Sequence, residues 1–136
     1  MGGSAAPNLT LILARDLAAT LSTPVFLVDA RGDIVFFNEA AEEVLGTTFA
    51  EAQVMTADEW SVAFRPRDEG GRPLALEELP IGVALREGRP AHRAIEIVGR
   101  DGVARRIEAT AVPLRARAGE LVGAVAVFWE RPAEPS

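Results

Sequence analysis

The side chains that most often carry out chemistry are scarce in this sequence. Its 136 residues include one histidine, His92, and no cysteine, and all 14 basic residues are arginines. Without cysteine there is no disulfide, no thiolate nucleophile and no Cys-ligated zinc or iron–sulfur site. Without lysine there is no Schiff base and no P-loop lysine. We therefore expect no catalytic residue and no metal site, and the composition indicates that the protein is not an enzyme.

Two pairs of adjacent carboxylates are the remaining candidates for acid–base chemistry, Glu42-Glu43 and Glu77-Glu78. Adjacent helical residues point about 100° apart and do not share a site. We interpret both pairs as solvated helix faces, and Arg105-Arg106 as two exposed charges on a strand. An isomerase-like enzyme would need a buried acid with a shifted pKa in its pocket, and no acid falls on an inward-facing position.

The charge and the apolar runs limit the partners of the chain. A net charge of −6 repels nucleic acid backbones and anionic membranes, so neither is expected as a partner. The longest apolar run, residues 121–129, is far shorter than the ~20 residues that span a bilayer. Residues 9–21 are interrupted by Arg15 and Asp16, which excludes a signal segment. We expect a cytoplasmic protein.

The helices and strands that would position a functional site can be predicted from the spacing of apolar residues and from residues that favour helix ends and turns. Asn8 and Asn38 are predicted helix caps, and replacing Asn38 with Ala should cost ~1 kcal/mol through loss of the cap. Gly32 is predicted at a hairpin turn, and Gly46 and Gly88 at helix ends. The predicted elements are a helix at 8–21, a hairpin at 25–37, a helix at 39–45, a helix at 80–87, and strands at 91–98, 104–114 and 121–129. Residues 47–75 are predicted to be irregular, with one or two short helical turns at 49–53 and 57–62.

This order predicts an α+β fold with a five-stranded antiparallel sheet, short helices on one face and an N-terminal flanking helix. The last strand is apolar on both faces, so it is expected at the centre of the sheet or covered on both sides. The predicted organisation is a flexible N-terminus at 1–7, an amphipathic helix at 8–21, one domain at 22–130 and a flexible tail at 131–136.

Four segments in this order resemble those of a PAS domain. They are the hairpin at 25–38 with its Asn38 cap, the helix at 39–46, the stretch Glu78-Leu79-Pro80 with Ala84-Leu85 and Gly88, and Arg100-Asp101-Gly102 with Pro113-Leu114 and residues 119–123. The resemblance covers residues 22–130. It implies a sensory or dimerisation module of bacterial signalling, with a possible signalling protein as partner, and it does not identify a ligand.

The end of the last strand departs from the family pattern. In family members that are linked to a kinase or a cyclase, the last strand usually ends in an Asp-Ile-Thr-like triplet. In this chain the corresponding residues are Trp129-Glu130-Arg131-Pro132. The chain is then either an excised fragment or a stand-alone protein acting through association, and we favour the second.

No cofactor is expected. The resemblance raises haem, which some PAS domains bind through one histidine on a pocket-lining helix. His92 follows Gly88 and Pro90 at the start of a strand, where we expect a surface residue. The flavin photochemistry and the covalent chromophore found in two branches of the family both need a cysteine, and the chain has none. A non-covalently bound flavin needs no cysteine and stays open as a minor alternative.

The leading hypothesis is a sensory domain that binds a small apolar molecule between helices and sheet, forms a homodimer, or does both. The alternative is a protein-association module with a filled core and no ligand. The predicted pocket lining is Phe26, Val28, Phe36, Leu45, Phe64, Val83, Ile95 and Ala109.

A homodimer is predicted on the N-terminal helix and the last strand. One face of that strand is expected to point outward, where an uncovered apolar patch favours association. The predicted interface residues are Leu9, Ile12, Leu13, Leu17, Val122, Ala124, Ala126 and Phe128.

Overall fold

The last strand in the sequence lies at the centre of a five-stranded antiparallel sheet. The computed structural model describes residues 5–52, 55–116 and 119–131. The order across the sheet is β2-β1-β5-β4-β3, and each neighbouring pair is antiparallel. This confirms the predicted sheet and its central last strand. The strands are β1 Val25–Asp29, β2 Ile34–Phe37, β3 Ala91–Val98, β4 Ala104–Arg115 and β5 Leu121–Glu130.

Helices cover both faces of the sheet. Residues of α2, α4 and α5 pack with the strands into one apolar core, and we call that side of the sheet the inner face. The long N-terminal helix lies on the opposite side, the outer face, where it contacts β1, β2, β4 and β5. Within the described residues, no helix has the length and apolar character to cross a membrane. The helices are α1 Ala5–Thr20, α2 Glu39–Leu45, α3 Phe49–Ala52, α4 Ala57–Ala63 and α5 Pro80–Glu87, with a 3₁₀ turn at Leu76–Glu78.

The helix ends follow the residues that favour them. Gly46, with φ 69°, and Gly88, with φ 64°, end α2 and α5 in the left-handed conformation that costs glycine little. Thr56 caps α4 through a reciprocal pair of hydrogen bonds with Glu59. Pro80 stands in the first turn of α5, where a missing N–H costs nothing.

The first helix begins earlier than the sequence predicted. It starts at Ala5, so Asn8 lies inside it and the predicted cap at Asn8 is wrong. Pro7 is tolerated because N–H groups in the first turn have no acceptor within the helix. Of the predicted flexible N-terminus, residues 1–4 lie outside the described residues and 5–7 are helical.

The predicted C-terminal tail differs at its first residue. Arg131 is held against the domain, because its N–H donates to the Arg106 carbonyl at 2.8 Å and its guanidinium pairs with Glu108 at 3.3 Å. Residues 132–136 lie outside the described residues.

Candidate functional site

An apolar cavity of about 80 Å³ lies between the inner face of the sheet and the helices α4 and α5. The strands supply its floor and α4 and α5 supply its walls. None of the described residues that line the cavity carries an ionisable group, so the cavity would hold a ligand by its shape and by apolar contacts. The lining residues are Phe26, Leu45, Trp60, Phe64, Pro66, Leu79, Pro80, Ile81, Ile95, Ile97, Ile107, Ala109, Ala126 and Phe128.

Five of the eight predicted pocket residues lie in this lining, namely Phe26, Leu45, Phe64, Ile95 and Ala109. The predictions for Val28, Phe36 and Val83 are wrong. Val28 is fully buried but packs in the core away from the cavity. Val83 lies half-buried on α5, whereas Ile81 is the α5 side chain that reaches the cavity.

Phe36 lies on the outer face because of the pairing between the first two strands. Phe26 pairs with Phe37 and Leu27 with Phe36, so Phe37 shares the inner face with Phe26. Phe36 instead contacts Phe49, with ring centroids 5.3 Å apart. The guanidinium of Arg15 on α1 lies 5.0 Å from the Phe36 ring centroid, a cation–π contact.

The predicted pocket lining omitted Trp60 on α4 and two isoleucines of the sheet. Ile97 and Ile107 were within reach of a period-two argument, because they share a face with Ile95 and Ala109. Trp60 lies in the short helical turn predicted at 57–62, but that stretch of sequence does not show which of its side chains faces the cavity. The Trp60 ring packs edge-on against Phe26, with centroids 5.0 Å apart.

The β1–β2 turn fixes α4 and therefore the position of Trp60. The indole Nε1 donates to the Gly32 carbonyl at 2.7 Å. The Asp33 carboxylate accepts from the backbone N–H of Ala57, the first residue of α4, at 3.0 Å. The turn is itself closed by Asp29, whose Oδ1 accepts from the backbone N–H of Asp33 at 3.1 Å. Two independent hydrogen bonds thus hold one cavity wall to the hairpin.

Asn38 connects α1, β1 and α2. Its side chain is 1% exposed, and it is the one buried polar residue in the described part of the chain. Oδ1 accepts from the backbone N–H groups of Val25 and Ala41, both at 3.0 Å. The cap predicted for α2 is therefore present, but the side chain also holds the end of the first helix. The amide nitrogen donates to the carbonyl oxygens of Ala18 at 3.0 Å, Leu21 at 3.3 Å and Thr23 at 2.9 Å.

The outer helix α1 contacts the sheet through Leu11 and two alanines. Ala18 is buried and Ala14 half-buried. A Cβ built on Gly123 of β5 would clash with the Val28 carbonyl oxygen of the neighbouring strand and lie 3.1 Å from Leu11 Cδ2, so this point of the sheet requires glycine. Four other large apolar side chains of the helix are exposed. They are Leu9, Ile12, Leu13 and Leu17, each more than half exposed.

The strand half of the predicted dimer interface is wrong, because Val122, Ala124, Ala126 and Phe128 are all buried within the domain. Ala124, Ala126 and Phe128 belong to the inner apolar core, and the last two line the cavity. The residues of β5 that face outward are the odd-numbered ones, ending at Trp129, which is 44% exposed. Both faces of the strand are apolar because both are covered, so its pattern alone does not say which face meets the core.

Comparison with known families decides the identity of the fold. A family model described as the PAS fold matches residues 19–133. This chain belongs to the PAS family. A comparison with curated proteins found no match to the sequence.

Solved PAS structures share the architecture at low identity. The PAS domain of a Colwellia psychrerythraea protein matches with TM-score 0.64 and 16% identity, over 89% of this chain and 96% of that one. The PAS domain of the nitrogen regulation protein NR(II) from Vibrio parahaemolyticus matches with TM-score 0.63 and 16% identity, over 88% and 98%. The LOV protein of Rhodobacter sphaeroides matches with TM-score 0.70 and 17% identity, over 91% and 68%.

His92 lies on the outer face of this PAS domain, on the side of the sheet opposite the cavity. Its ring nitrogens Nδ1 and Nε2 are 2.6 Å from Thr110 Oγ1 and 2.7 Å from Glu108 Oε1. Ile95 and Ile97 point to the cavity from the same strand, and His92 does not share their face. The histidine therefore cannot ligate a group held in the cavity.

The β3–β4 turn is clamped to the end of α2. Arg105 NH2 pairs with Asp101 Oδ2 at 2.9 Å, and Arg105 NH1 donates to the Val44 carbonyl at 2.9 Å. The Arg105 side chain is only 15% exposed, so the prediction of two exposed charges at Arg105-Arg106 is wrong for the first of them. Hydrogen bonds from Arg105, helped by the backbone N–H of Val103, hold the pKa of Asp101 below its ordinary value of 3.8.

The clamp makes the stability of the PAS domain dependent on acidity. Because the folded state lowers the pKa of Asp101, the stabilisation is fully present above pH 3.8 and is lost as the pH falls through that value and below. We expect the thermal midpoint of the wild type to fall more steeply than that of Asp101→Asn as the pH is lowered across this range. Asp16→Asn, at an exposed position of α1, serves as the control. Parallel pH profiles for the wild type and Asp101→Asn would contradict the clamp.

Proposed function

We propose that this PAS domain is a sensory module of bacterial signal transduction that binds a small apolar molecule in its inner cavity and associates as a homodimer through its outer surface. The wholly apolar cavity lining carries the proposal. Similar structures include PAS domains of a two-component sensor histidine kinase and of a nitrogen regulation protein, which supports a signalling role.

The size of the cavity limits the size of the ligand that it can hold. Sites for drug-sized molecules and cofactors usually enclose about 300–1,000 Å³, whereas an apolar cavity of about 150 Å³ binds benzene or xenon. At about 80 Å³, this cavity suits an apolar ligand of a few heavy atoms, with modest widening by side-chain rotation. A lining without polar groups supplies no hydrogen bond to orient a polar ligand.

The proposal includes neither a flavin nor haem, and no catalytic activity. A fused-ring cofactor is larger than the cavity, and His92 faces away from it. Catalysis by proton transfer needs a titratable group at the site, and the described lining has none.

Benzene is a direct probe of the cavity. At about ten times its dissociation constant, a ligand that binds only the folded state should raise the thermal midpoint of a chain of this length by about 4 °C. In Ala109→Leu the larger side chain fills the cavity, so we expect the benzene-induced shift to disappear. Scanning calorimetry of each variant with and without benzene measures that shift against its own ligand-free midpoint.

The control for this experiment is Ala104→Leu, which makes the same substitution at an exposed position of the same strand. It should retain the wild-type shift. A wild type whose midpoint does not respond to benzene would favour the alternative, an association module with a filled core.

The outer surface supports the association half of the proposal. The four large side chains of α1 are exposed, and so are Val112 and Trp129 on the same side of the sheet. Burying a side chain of this size contributes about 1.5–3 kcal/mol, so leaving six of them in water is costly. A second copy related by a two-fold axis covers the same patch on both chains.

A further inference from the structure

The segment from Trp60 to Arg67 borders two different spaces. Trp60, Phe64 and Pro66 face the inner cavity. The residues between them face outward into two adjoining surface grooves that share Arg65, one of about 330 Å³ and one of about 360 Å³. The first is lined by Ser61, Val62, Arg65, Pro66, Arg67, Pro73 and Leu74, and the second by Ala63, Arg65, Val98, Gly99, Arg100 and Gly102.

The grooves are basic in a chain that is otherwise acidic. Their described linings hold Arg65, Arg67 and Arg100 and no acidic residue, although the net charge of the chain is −6. None of these three guanidinium groups makes a hydrogen bond or ion pair with another described residue, whereas Arg72 and Arg105 are paired at 2.9 Å. Unpaired cations grouped on one surface produce a local positive potential that attracts anionic groups.

The same surface has apolar character. Val62 is 71% exposed, the largest exposure among the large apolar side chains of the described residues. Pro66, Pro73 and Leu74 continue the apolar lining beside it. A groove that combines apolar contacts with guanidinium groups suits an amphipathic ligand with negative charges.

We propose that this surface docks an acidic segment of a partner protein in which carboxylates alternate with small apolar side chains. The carboxylates would pair with Arg65, Arg67 and Arg100, and the apolar side chains would cover Val62. A nucleic acid is disfavoured, because a polyphosphate extends past the three arginines over a surface whose net charge is −6. The docking surface is independent of the cavity ligand, so a failed benzene experiment does not affect it.

A short synthetic peptide of alternating Glu and Val residues, labelled with fluorescein, tests the surface by fluorescence anisotropy. We expect it to bind the wild-type chain and to bind Arg65→Gln/Arg100→Gln about tenfold more weakly, because two exposed ion pairs are lost. Val62→Ser should also weaken binding, and added salt should weaken it in the wild type. The matched control is Arg31→Gln/Arg86→Gln, which removes the same charge from other surfaces and should bind as the wild type does.

Three outcomes would overturn the docking surface. One is a wild type that does not bind the Glu-Val peptide, and another is equal affinity of the test and control double variants. The third is binding of a fluorescein-labelled single-stranded oligonucleotide as tightly as the peptide, which would assign the arginines to nucleic acid. Thermal midpoints of all variants, measured alongside, should stay close to the wild type, because the substituted side chains lie at exposed positions.

Discussion

Asn38→Ala is expected to lower the free energy of unfolding by about 3 kcal/mol, well above the ~1 kcal/mol of an ordinary helix cap. The reason is that the side chain serves five backbone groups, two N–H donors and three carbonyl acceptors, in a buried position. Removing the amide leaves several of these groups unpaired away from water. Chemical denaturation followed by circular dichroism measures the change.

Two further variants separate the roles of Asn38. Thr56→Ala removes an exposed N-cap on α4 and should cost about 1 kcal/mol. Asn38→Asp keeps the oxygen that caps α2 but turns a buried carboxylate oxygen toward three carbonyl oxygens, so it should cost at least as much as Asn38→Ala. If Asn38→Ala cost no more than Thr56→Ala, the side chain would be only a cap.

The wild-type chain is expected to elute and scatter light as a dimer, with twice the monomer mass of 14.5 kDa. Leu13→Glu/Leu17→Glu should convert it to a monomer, because both side chains lie on the exposed face of α1 and a partner would bury their new charges. Multi-angle light scattering at micromolar concentration gives the mass directly.

The control variant is Val62→Glu/Val103→Glu, which adds the same charge at exposed apolar positions away from α1. It should remain dimeric. Either a wild type of monomer mass or a dimer that survives Leu13→Glu/Leu17→Glu would exclude α1 as the interface. Circular dichroism spectra should show that both variants keep the fold.

The order of elements could be predicted from the sequence because local signals determine it. Gly32 at the hairpin turn and the pair Pro80 and Gly88 around α5 each mark a boundary through their own backbone preferences. Asn38 was predicted as a cap for the same reason. Its contacts with Ala18 and Thr23 depend on where the chain returns in space, and no local pattern encodes that.

The sequence predicted the helices and strands better than it predicted which face of each one its side chains occupy. Period-two alternation divides the residues of β5 into two sets, but both sets are apolar. The pattern therefore does not say whether the set with Phe128 or the other set faces the inner core. The same limit applies to α1. Its exposed stripe carries most of the large apolar side chains, yet the face with Leu11, Ala14 and Ala18 packs against the sheet. Three-dimensional fit, rather than hydrophobicity, decides these cases.

The central position of β5 has a consequence for how the chain folds. β1 and β5 pair between Val25 and Val127, about as far apart in sequence as two residues of the described domain can be. During synthesis, β1 and β2 therefore emerge long before the strand that joins them to β3 and β4. Sheets that depend on such distant contacts fold slowly and expose unpaired strand edges until the last strand arrives. The nascent chain should accordingly need protection from aggregation until residues 121–130 have left the ribosome.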